Sequence, residues 1–227
     1  MNNNIKVNLI VAALMILSCA EKPSEKPDYS AAEIAYRNGQ YDSAIVLYKQ
    51  ITDKFPEEYL AYFSSGSCKF NLGDYQGAAD DYGKVIEIRE DNFIGYDSRG
   101  ICYFNLELLE KAKDDFKKAI KIQPQYPDAF SNLGYLFFVE GENDSALFYY
   151  NEAIKSYSYS LPAYFNRATL YDTLGQYQQA VADLNEILKI DSLNAVVLNL
   201  RGKIKLKAGD KKGADEDFKK SQNTKMQ

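Results

Sequence analysis

The chain has 227 residues, and its 27 Lys and Arg against 32 Asp and Glu leave a formal net charge of −5. Because proteins that bind nucleic acids normally carry a basic surface, this balance argues against a nucleic-acid partner. The chain contains no histidine, which excludes acid–base catalysis by that residue. It also lacks a glycine-rich phosphate loop, a nucleophile elbow and a cluster of metal ligands in its sequence. We therefore expect no enzyme, no cofactor and no metal site.

The first predicted element is a signal peptide in residues 1–18. A short polar start contains Lys6, and an apolar run follows from Val7 to Leu17. This order is typical of secretory signals. The run is too short for a helix that spans a bilayer, which needs about 20 apolar residues.

The signal ends in Ile16-Leu17-Ser18-Cys19, which resembles the lipobox of bacterial lipoproteins. The resemblance implies that Cys19 becomes the first mature residue and carries several acyl chains, which together anchor a protein firmly. It also implies a place in the bacterial cell envelope, where we expect the outer membrane. Ordinary cleavage after Ala20 is the alternative, because Ser18-Cys19-Ala20 weakly matches a small-x-small site.

Residues 19–29 form the next segment, in which the cysteine is followed by AEKPSEKPDY. Two prolines and alternating charges cannot bury a core, so we expect an extended tether. At about 3 Å per residue, this tether would hold the rest of the chain roughly 30 Å from the membrane surface.

The remaining chain, residues 30–227, follows a period of 34 residues without an insertion or deletion. An alanine recurs at this spacing, as Ala44, Ala78, Ala112, Ala146, Ala180 and Ala214. Counted from Glu25, the repeats are 25–58, 59–92, 93–126, 127–160, 161–194 and 195–227. Positions within a repeat are numbered here from 1 to 34. A strict period of this length predicts a stack of units in which each repeat contacts its neighbours.

Three positions in the repeat predict a helical hairpin. Position 8 is always small, as Ala32, Gly66, Gly100, Gly134, Ala168 and Gly202. Position 24 is bulky, as Tyr48, Tyr82, Phe116, Tyr150, Leu184 and Phe218. The small residue lets two helices approach closely, and the bulky side chain fills the gap that remains. Position 15, which suits the end of a helix, is glycine in five repeats, as Gly39, Gly73, Gly141, Gly175 and Gly209.

This pattern resembles the tetratricopeptide repeat family. The fourth repeat shows the resemblance best, through Phe130, Leu133, Gly134, Phe137, Gly141, Ala146, Tyr150 and Ala153. The resemblance implies an all-α fold, a right-handed α-solenoid of six helix-turn-helix repeats. It also implies that the first helix of each repeat lines a concave surface.

Three departures from a regular array lead to separate predictions. Glu107 replaces the glycine of position 15 in the third repeat, so the turn there should be strained or remodelled. Both terminal repeats should act as caps with polar outer faces. At the start of the array, Ser30 and Glu33 predict a capping box for the first helix.

Charged residues at positions 7 and 23 occur together. The pairs are Arg99 with Asp115, Arg167 with Asp183, and Arg201 with Asp217. We interpret them as structural ion pairs between the two helices of a repeat. Pairing across neighbouring repeats, for instance between Asp81 and Arg99, is the alternative.

Two cysteines lie inside the array, and both stand at position 10. Other repeats carry Ile34, Leu136, Leu170 and Ile204 there, so Cys68 and Cys102 are predicted to be free, buried core thiols. Equivalent helices packed about 8–10 Å apart would also keep them too distant for a disulfide.

Positions 5, 9 and 12 form one stripe along the first helix of each repeat. The candidate partner-binding residues on and beside this stripe are aromatic or polar, namely Tyr36, Phe63, Phe70, Asn71, Asp97, Phe104, Asn105, Ser131, Tyr135, Phe138 and Phe165. For the aromatic members, packing between successive first helices is the alternative interpretation.

The sequence thus suggests a non-catalytic, membrane-anchored scaffold or adaptor. It would bind a peptide or helix segment of an envelope protein in its concave groove, for envelope assembly or regulation. A glycan-binding envelope lipoprotein is the alternative, because aromatic rings beside amide and carboxylate groups also suit sugars.

Overall fold

The computed structural model describes residues 26–223, and within that range the chain forms twelve α-helices and no strands. The predicted signal peptide, Cys19 and the tether up to residue 25 lie outside the described residues. The helices are α1 (Ser30–Arg37), α2 (Tyr41–Lys54), α3 (Tyr59–Asn71), α4 (Tyr75–Ile88), α5 (Phe93–Asn105), α6 (Leu109–Ile122), α7 (Pro127–Val139), α8 (Asn143–Ser156), α9 (Leu161–Thr173), α10 (Tyr177–Ile190), α11 (Ala195–Lys207) and α12 (Lys211–Asn223). None of these helices is both long enough and apolar enough to cross a bilayer.

The helices stack in the order of the chain, two to each repeat. Each odd-numbered helix packs against the even-numbered helix of its own repeat, and each even-numbered helix packs against the first helix of the next repeat. First helices also contact one another directly, in the pairs α5–α7 and α7–α9, whereas second helices in the described range make no contact of comparable extent. First helices therefore form the inner wall of a curved array, which confirms the predicted α-solenoid.

The close approach of the two helices in a repeat depends on the small residue at position 8. A Cβ atom added to Gly100 would lie 2.7 Å from the ring of Phe116. The same addition at Gly202 would lie 2.6 Å from the ring of Phe218. Because real Cβ atoms do not approach so closely, the ring of the second helix occupies the space that a side chain would need. The predicted pairing of small with large is confirmed.

Each turn inside a repeat places position 15 in the left-handed region. The five glycines have positive φ, as Gly39, Gly73, Gly141, Gly175 and Gly209, and Glu107 shares this conformation with φ 59°. At Glu107 the turn keeps the hydrogen bonds of a glycine turn, since Leu108 N donates to Tyr103 O over 2.9 Å. The third repeat therefore has the regular turn, but Glu107 adopts a backbone conformation that is unfavourable for a residue with a side chain.

The start of α1 differs from the prediction, because no capping box forms there. Ser30 is the first helical residue, and both its backbone N–H and its hydroxyl donate to the Asp28 carboxylate, over 2.9 and 2.6 Å. Glu33 instead forms an exposed ion pair with Arg37 at 3.3 Å. Asp28 therefore accepts the Ser30 amide that Glu33 would accept in a capping box, and the Glu33 amide donates to Tyr29 O over 2.9 Å.

The predicted ion pairs lie within repeats. Arg99 donates to both oxygens of Asp115 over 2.8 Å, and the same two-point contact joins Arg167 to Asp183 and Arg201 to Asp217. The alternative pairing of Asp81 with Arg99 is wrong, because Asp81 forms an ion pair with Lys69 of its own repeat at 2.8 Å.

Two of these arginines also join neighbouring repeats. Arg167 donates to Asn151 Oδ1 and Arg201 donates to Asn185 Oδ1, each over 2.5 Å. Both asparagines lie on the second helix of the preceding repeat. Each guanidinium therefore connects three helices, which fixes the stacking of one repeat on the next.

The two cysteines of the array are free and buried, as predicted. They lie on α3 and α5. Burial raises the pKa of Cys68 to about 11 and the pKa of Cys102 to about 12. Both side chains are therefore protonated core residues at neutral pH.

Replacing Glu107 by glycine should stabilise the fold, because glycine adopts positive φ without a steric penalty. We expect Glu107→Gly to raise the free energy of unfolding by about 0.5–1 kcal/mol, measured by urea denaturation followed by circular dichroism. The matched control, Gly141→Ala at the same position of the next repeat, should lower it by a similar amount. An unchanged or lower urea midpoint for Glu107→Gly would contradict this account.

Candidate functional site

The candidate site lies on the inner wall, where the first helices α1, α3, α5 and α7 present a row of aromatic and amide side chains. We call this surface the groove, and its members are Tyr36, Phe70, Asn71, Phe104, Asn105, Tyr135 and Phe138. Tyr36 and Tyr135 are the most exposed rings of the groove, with 37% and 42% of their surface accessible. The three phenylalanines are half-buried.

Each ring at the N-terminal end of the groove packs against the tyrosine that begins the following helix. The ring centroids of Tyr36 and Tyr41 are 5.6 Å apart, and those of Phe70 and Tyr75 are 5.3 Å apart, both with edge-on geometry. This packing orients each ring within its own repeat.

In the middle of the array, the aromatic row continues from one repeat to the next. The Tyr135 ring lies 5.5 Å from the Phe104 ring and 6.3 Å from the Phe138 ring, measured between centroids. Phe104 belongs to α5, and the other two residues belong to α7. These rings therefore pack between first helices, and they also keep accessible surface.

A small cavity opens between α5 and α7, beside the most exposed ring. Its volume is about 240 Å³, and it is lined by Ile101, Phe104, Asn105, Phe116, Asn132 and Tyr135. Pockets that take whole small-molecule ligands are usually about 300–1,000 Å³. The cavity therefore suits one apolar side chain better than a complete small ligand.

The two amides of the groove are exposed, but their orientation is fixed. Asn71 Nδ2 donates to Ser67 O, and Asn105 Nδ2 donates to Ile101 O, both over 2.8 Å and both one turn back on the same helix. These bonds occupy an N–H of each side chain. An amide held in this way can present its oxygen to a backbone N–H of a bound segment.

Phe63 and Phe165 are also on first helices, but they pack against the core of the array. The Phe63 ring is 5.2 Å from the ring of Tyr82, and Phe165 packs against the buried core formed by the fifth and sixth repeats. Both are half-buried. Their surroundings indicate that packing is their main role.

Asp97 and Ser131 are buried between repeats, where a partner in the groove does not reach them. Their accessible fractions are 4% and 1%. Asp97 accepts hydrogen bonds from Asn132 Nδ2 over 2.9 Å and from the Tyr126 hydroxyl over 3.2 Å. Ser131 accepts one from Asn166 Nδ2 over 3.2 Å. These two residues therefore bind the next first helix of the array.

The buried carboxyl group of Asp97 has an unusual pKa. Burial raises it to about 6, and the hydrogen bonds from Asn132 and Tyr126 only partly oppose this increase. Asp97 is thus mostly ionised at neutral pH in an environment that disfavours its charge. Its role fits a connection between the third and fourth repeats rather than acid–base chemistry.

The sequence analysis missed the residues that hold Asp97 and Ser131 in place. Position 6 changes from serine in the first three repeats to asparagine in the next two, at Asn132 and Asn166. That change was the available signal, since an amide reaches across to a neighbouring helix and a serine hydroxyl does not. Tyr126 gave no comparable pattern.

The described part of the chain holds no group of three or more Cys, Asp and Glu side chains arranged to bind a metal ion. The chemistry that the groove offers is contact area from aromatic rings and hydrogen bonds from amides. Groups of these kinds can contact a ligand through shape and through polar backbone atoms.

Removing the charge of Asp97 should alter the pH dependence of stability. A carboxyl group whose pKa is about 6 in the folded chain and about 3.9 when unfolded makes the fold less stable as pH rises from about 4 to about 6. We expect Asp97→Asn to have a free energy of unfolding about 1–3 kcal/mol above wild type at pH 7.5 and close to wild type at pH 4.

Urea denaturation at both pH values measures this difference. Asp114→Asn, which changes an exposed carboxylate on α6, serves as the control and should show no comparable change with pH. If Asp97→Asn differed from wild type equally at both pH values, the account of the buried charge would be wrong.

Comparison with known proteins agrees with this architecture. Three sequence models, each of the tetratricopeptide repeat, match residues 29–93, 98–126 and 161–192. A sequence search of curated proteins gives no match. Among solved structures, a tetratricopeptide repeat protein from Parabacteroides merdae is 24% identical with a TM-score of 0.70, and the alignment covers 90% of this chain and 81% of that one.

Two further structures share the fold. PilW, a type IV pilus biogenesis factor, is 20% identical with a TM-score of 0.72, over 83% of this chain and 87% of its own. YrrB, a repeat protein with an unusual peptide-binding site, is 19% identical with a TM-score of 0.54, over 78% and 91%. Because the matched repeats together take in more than half of the residues, the chain belongs to the tetratricopeptide repeat family.

Proposed function

We propose that this protein is a non-catalytic scaffold or adaptor of the bacterial cell envelope, anchored to a membrane, and that it holds a peptide or helix segment of a partner protein in the groove. The observation that carries the proposal is the row of partly accessible rings along α1, α3, α5 and α7. Aromatic rings provide a large contact area and lose little conformational entropy on binding.

The geometry of the groove favours an elongated protein segment as the ligand. Its rings are distributed over the first helices of four successive repeats, so a compact ligand would contact only part of the row. The cavity of about 240 Å³ between α5 and α7 has room for one apolar side chain. The amide of Asn105, which lines that cavity, lies where a hydrogen bond to the backbone of the segment would fix its register.

Two structural relatives support a binding role for this type of array. YrrB is described as a tetratricopeptide repeat protein with a peptide-binding site, and PilW as a factor in the biogenesis of type IV pili. At 19–20% identity they share the fold with this chain. The proposal takes from them only that a curved array of this kind can serve protein assembly.

The membrane anchor and the envelope location rest on the sequence. Ile16-Leu17-Ser18-Cys19 resembles a lipobox, and the following segment has the composition of an extended tether. Both lie outside the described residues. Acylated Cys19 would keep the groove near a membrane, and we propose the outer membrane.

Removing two rings beside the cavity tests the role of the groove. We expect the double variant Phe104→Ser and Tyr135→Ser to recover its partner at least about tenfold less efficiently than wild type, because each ring contributes on the order of 1–2 kcal/mol of contact. The measurement is in-cell crosslinking of the full chain, followed by purification and mass spectrometry of the membrane fraction.

A matched pair of exposed apolar residues on second helices serves as the control. Val46→Ser with Phe148→Ser changes two side chains that are each 57% accessible and lie on α2 and α8, outside the inner wall. Circular dichroism must show equal helicity for both double variants. The groove proposal fails if the two variants and wild type all recover the same partners equally well.

A glycan-binding lipoprotein remains the second candidate, because Asn105 lies beside the rings of Phe104 and Tyr135 around one cavity. Two features oppose it. Sugar stacking needs flat, open ring faces, whereas the rings of the groove pack at steep angles of 53–65° to their neighbours in three of four cases. The chain also contains no tryptophan. Direct binding of the purified protein to envelope polysaccharides would favour this candidate.

The anchor has its own test, which is independent of the groove. Cys19→Ala removes the sulfur atom through which a lipoprotein is first lipidated, so we expect the protein to leave the membrane fraction or to accumulate unprocessed. Cell fractionation and immunoblotting measure both outcomes, with Cys68→Ala as the control for loss of a cysteine. Unchanged membrane association of Cys19→Ala would contradict a lipid anchor.

A further inference from the structure

The contacts between neighbouring repeats follow one register. Position 5 of a repeat accepts a hydrogen bond from position 6 of the next, as Asp97 does from Asn132 and Ser131 does from Asn166. Position 12 pairs with position 13 of the next, as Asp172 does with Lys207 at 2.7 Å. The register therefore predicts which side chains would meet if another repeat were added at either end.

At the C-terminal end, α11 presents the surface on which a further first helix would lie. An open cavity of about 440 Å³ marks this surface, which we call the C-terminal slot, and it is lined by Phe165, Ala195, Val196, Asn199, Leu200, Lys203 and Ser221. Val196 is 67% accessible, the largest fraction among the exposed large apolar residues of the described range. The predicted polar cap is therefore limited to α12, while α11 remains partly apolar.

Two polar side chains of the C-terminal slot form no side-chain hydrogen bond or ion pair within residues 26–223. Asn199, at position 5, is exposed, whereas Asp97 and Ser131 at the same position are buried against the next repeat. Lys203, at position 9, is exposed and forms no ion pair with a described carboxylate. In the interior of the array, position 9 faces positions 6 and 9 of the next repeat, as Ile101 faces Asn132 and Tyr135 around one cavity.

At the N-terminal end, α1 has the complementary exposure. Ile34, at position 10, is 56% accessible, whereas its equivalents in the other five repeats are all 0% accessible, namely Cys68, Cys102, Leu136, Leu170 and Ile204. Those five side chains are covered because a preceding repeat packs against them. Within residues 26–223, Ile34 is therefore the uncovered half of a contact that the other repeats make.

The charges of the two ends are also complementary. Residues 195–223 contain eight Lys and Arg and four Asp and Glu. Residues 26–58 contain four Lys and Arg and six Asp and Glu. In the interior register, Lys203 at position 9 would face positions 6 and 9 of an incoming repeat. On α1 these positions are Ser30 and Glu33. Among the described residues, Glu33 forms an ion pair with exposed Arg37 at 3.3 Å.

We propose that two copies of this chain associate head to tail, with α1 of one copy lying in the C-terminal slot of the other. In this arrangement Glu33 of the incoming copy pairs with Lys203, and Ile34 is covered. The interface is a continuation of the repeat stacking that already joins the six repeats. None of Glu33, Ile34 and Lys203 is a member of the groove, so the interface does not depend on the proposed function.

Such an interface joins two different surfaces, so it does not close on itself in a dimer. Each added copy leaves one free α1 and one free C-terminal slot, and the product is a row or a ring of copies. A row would extend the inner wall from one copy to the next. Many weak groove contacts could then act together on one long partner.

A charge-reversal cycle tests the proposed contact. It changes Glu33 and Lys203, which are both exposed. Sedimentation velocity of the full chain in detergent should show a mass that rises with protein concentration. We expect Lys203→Glu and Glu33→Lys each to weaken self-association at least about tenfold. The combined variant, in which the charges are exchanged, should recover association to within about threefold of wild type.

Two controls separate this interface from others. Lys212→Glu reverses an exposed charge on α12 outside the C-terminal slot and should leave association unchanged. Tyr135→Ser alters the groove and should also leave it unchanged, so that the two proposals fail independently. A monomer at all concentrations, single reversals without effect, an exchanged pair that does not recover, or loss of association in either control would each overturn the proposal.

Discussion

The close packing of a small residue against a ring is the contact on which the rest of this structure depends. Gly100 lies where any side chain would collide with Phe116, and the same relation holds for Gly134 with Tyr150. It brings the two helices of each repeat together at a fixed distance and angle. Because the same hairpin recurs six times in one register, first helices contact each other, and the array curves around them. The inner wall is a consequence of that local contact, and so is the groove it carries.

Polar contacts then connect these hairpins in a fixed order. Arg167 and Arg201 each join a carboxylate in their own repeat to an asparagine in the preceding one. Asp97 joins its own repeat to the following one, because its carboxyl group accepts a hydrogen bond from Asn132. This carboxyl group is buried, which disfavours its charged form. Such contacts set the relative orientation of repeats, which apolar packing alone would fix less strictly. At each end of the described range, one half of such a contact is present without its counterpart from a neighbouring repeat.

The fold could be predicted from the sequence to a large extent, because its cause is local and repeated. The period of the alanines, the glycines of the turns and the arginine–aspartate pairs at a separation of 16 residues all depend on contacts within one repeat. The site was less predictable. The stripe of positions 5, 9 and 12 correctly predicted that Phe104 and Tyr135 lie on the inner wall. It also included Asp97 and Ser131, which instead accept hydrogen bonds from the next repeat. Their burial depends on the distance between the first helices of neighbouring repeats. The sequence of a single repeat does not determine that distance. The prediction for the start of α1 failed because Asp28 accepts the Ser30 amide that the Glu33 side chain would accept in a capping box.

The central claim is that the inner wall binds a protein segment through its shape and its aromatic surface. Site-specific photocrosslinking in cells tests it most directly, with a photoreactive amino acid placed at residue 135 in one strain and at residue 148 in another. Both residues are exposed, with 42% and 57% of their surface accessible, but only the first lies on the inner wall. The account predicts crosslinks from residue 135 to a defined segment of a partner protein, and none to that segment from residue 148. Absence of any protein crosslink at residue 135, or the same crosslinks from both residues, would contradict it.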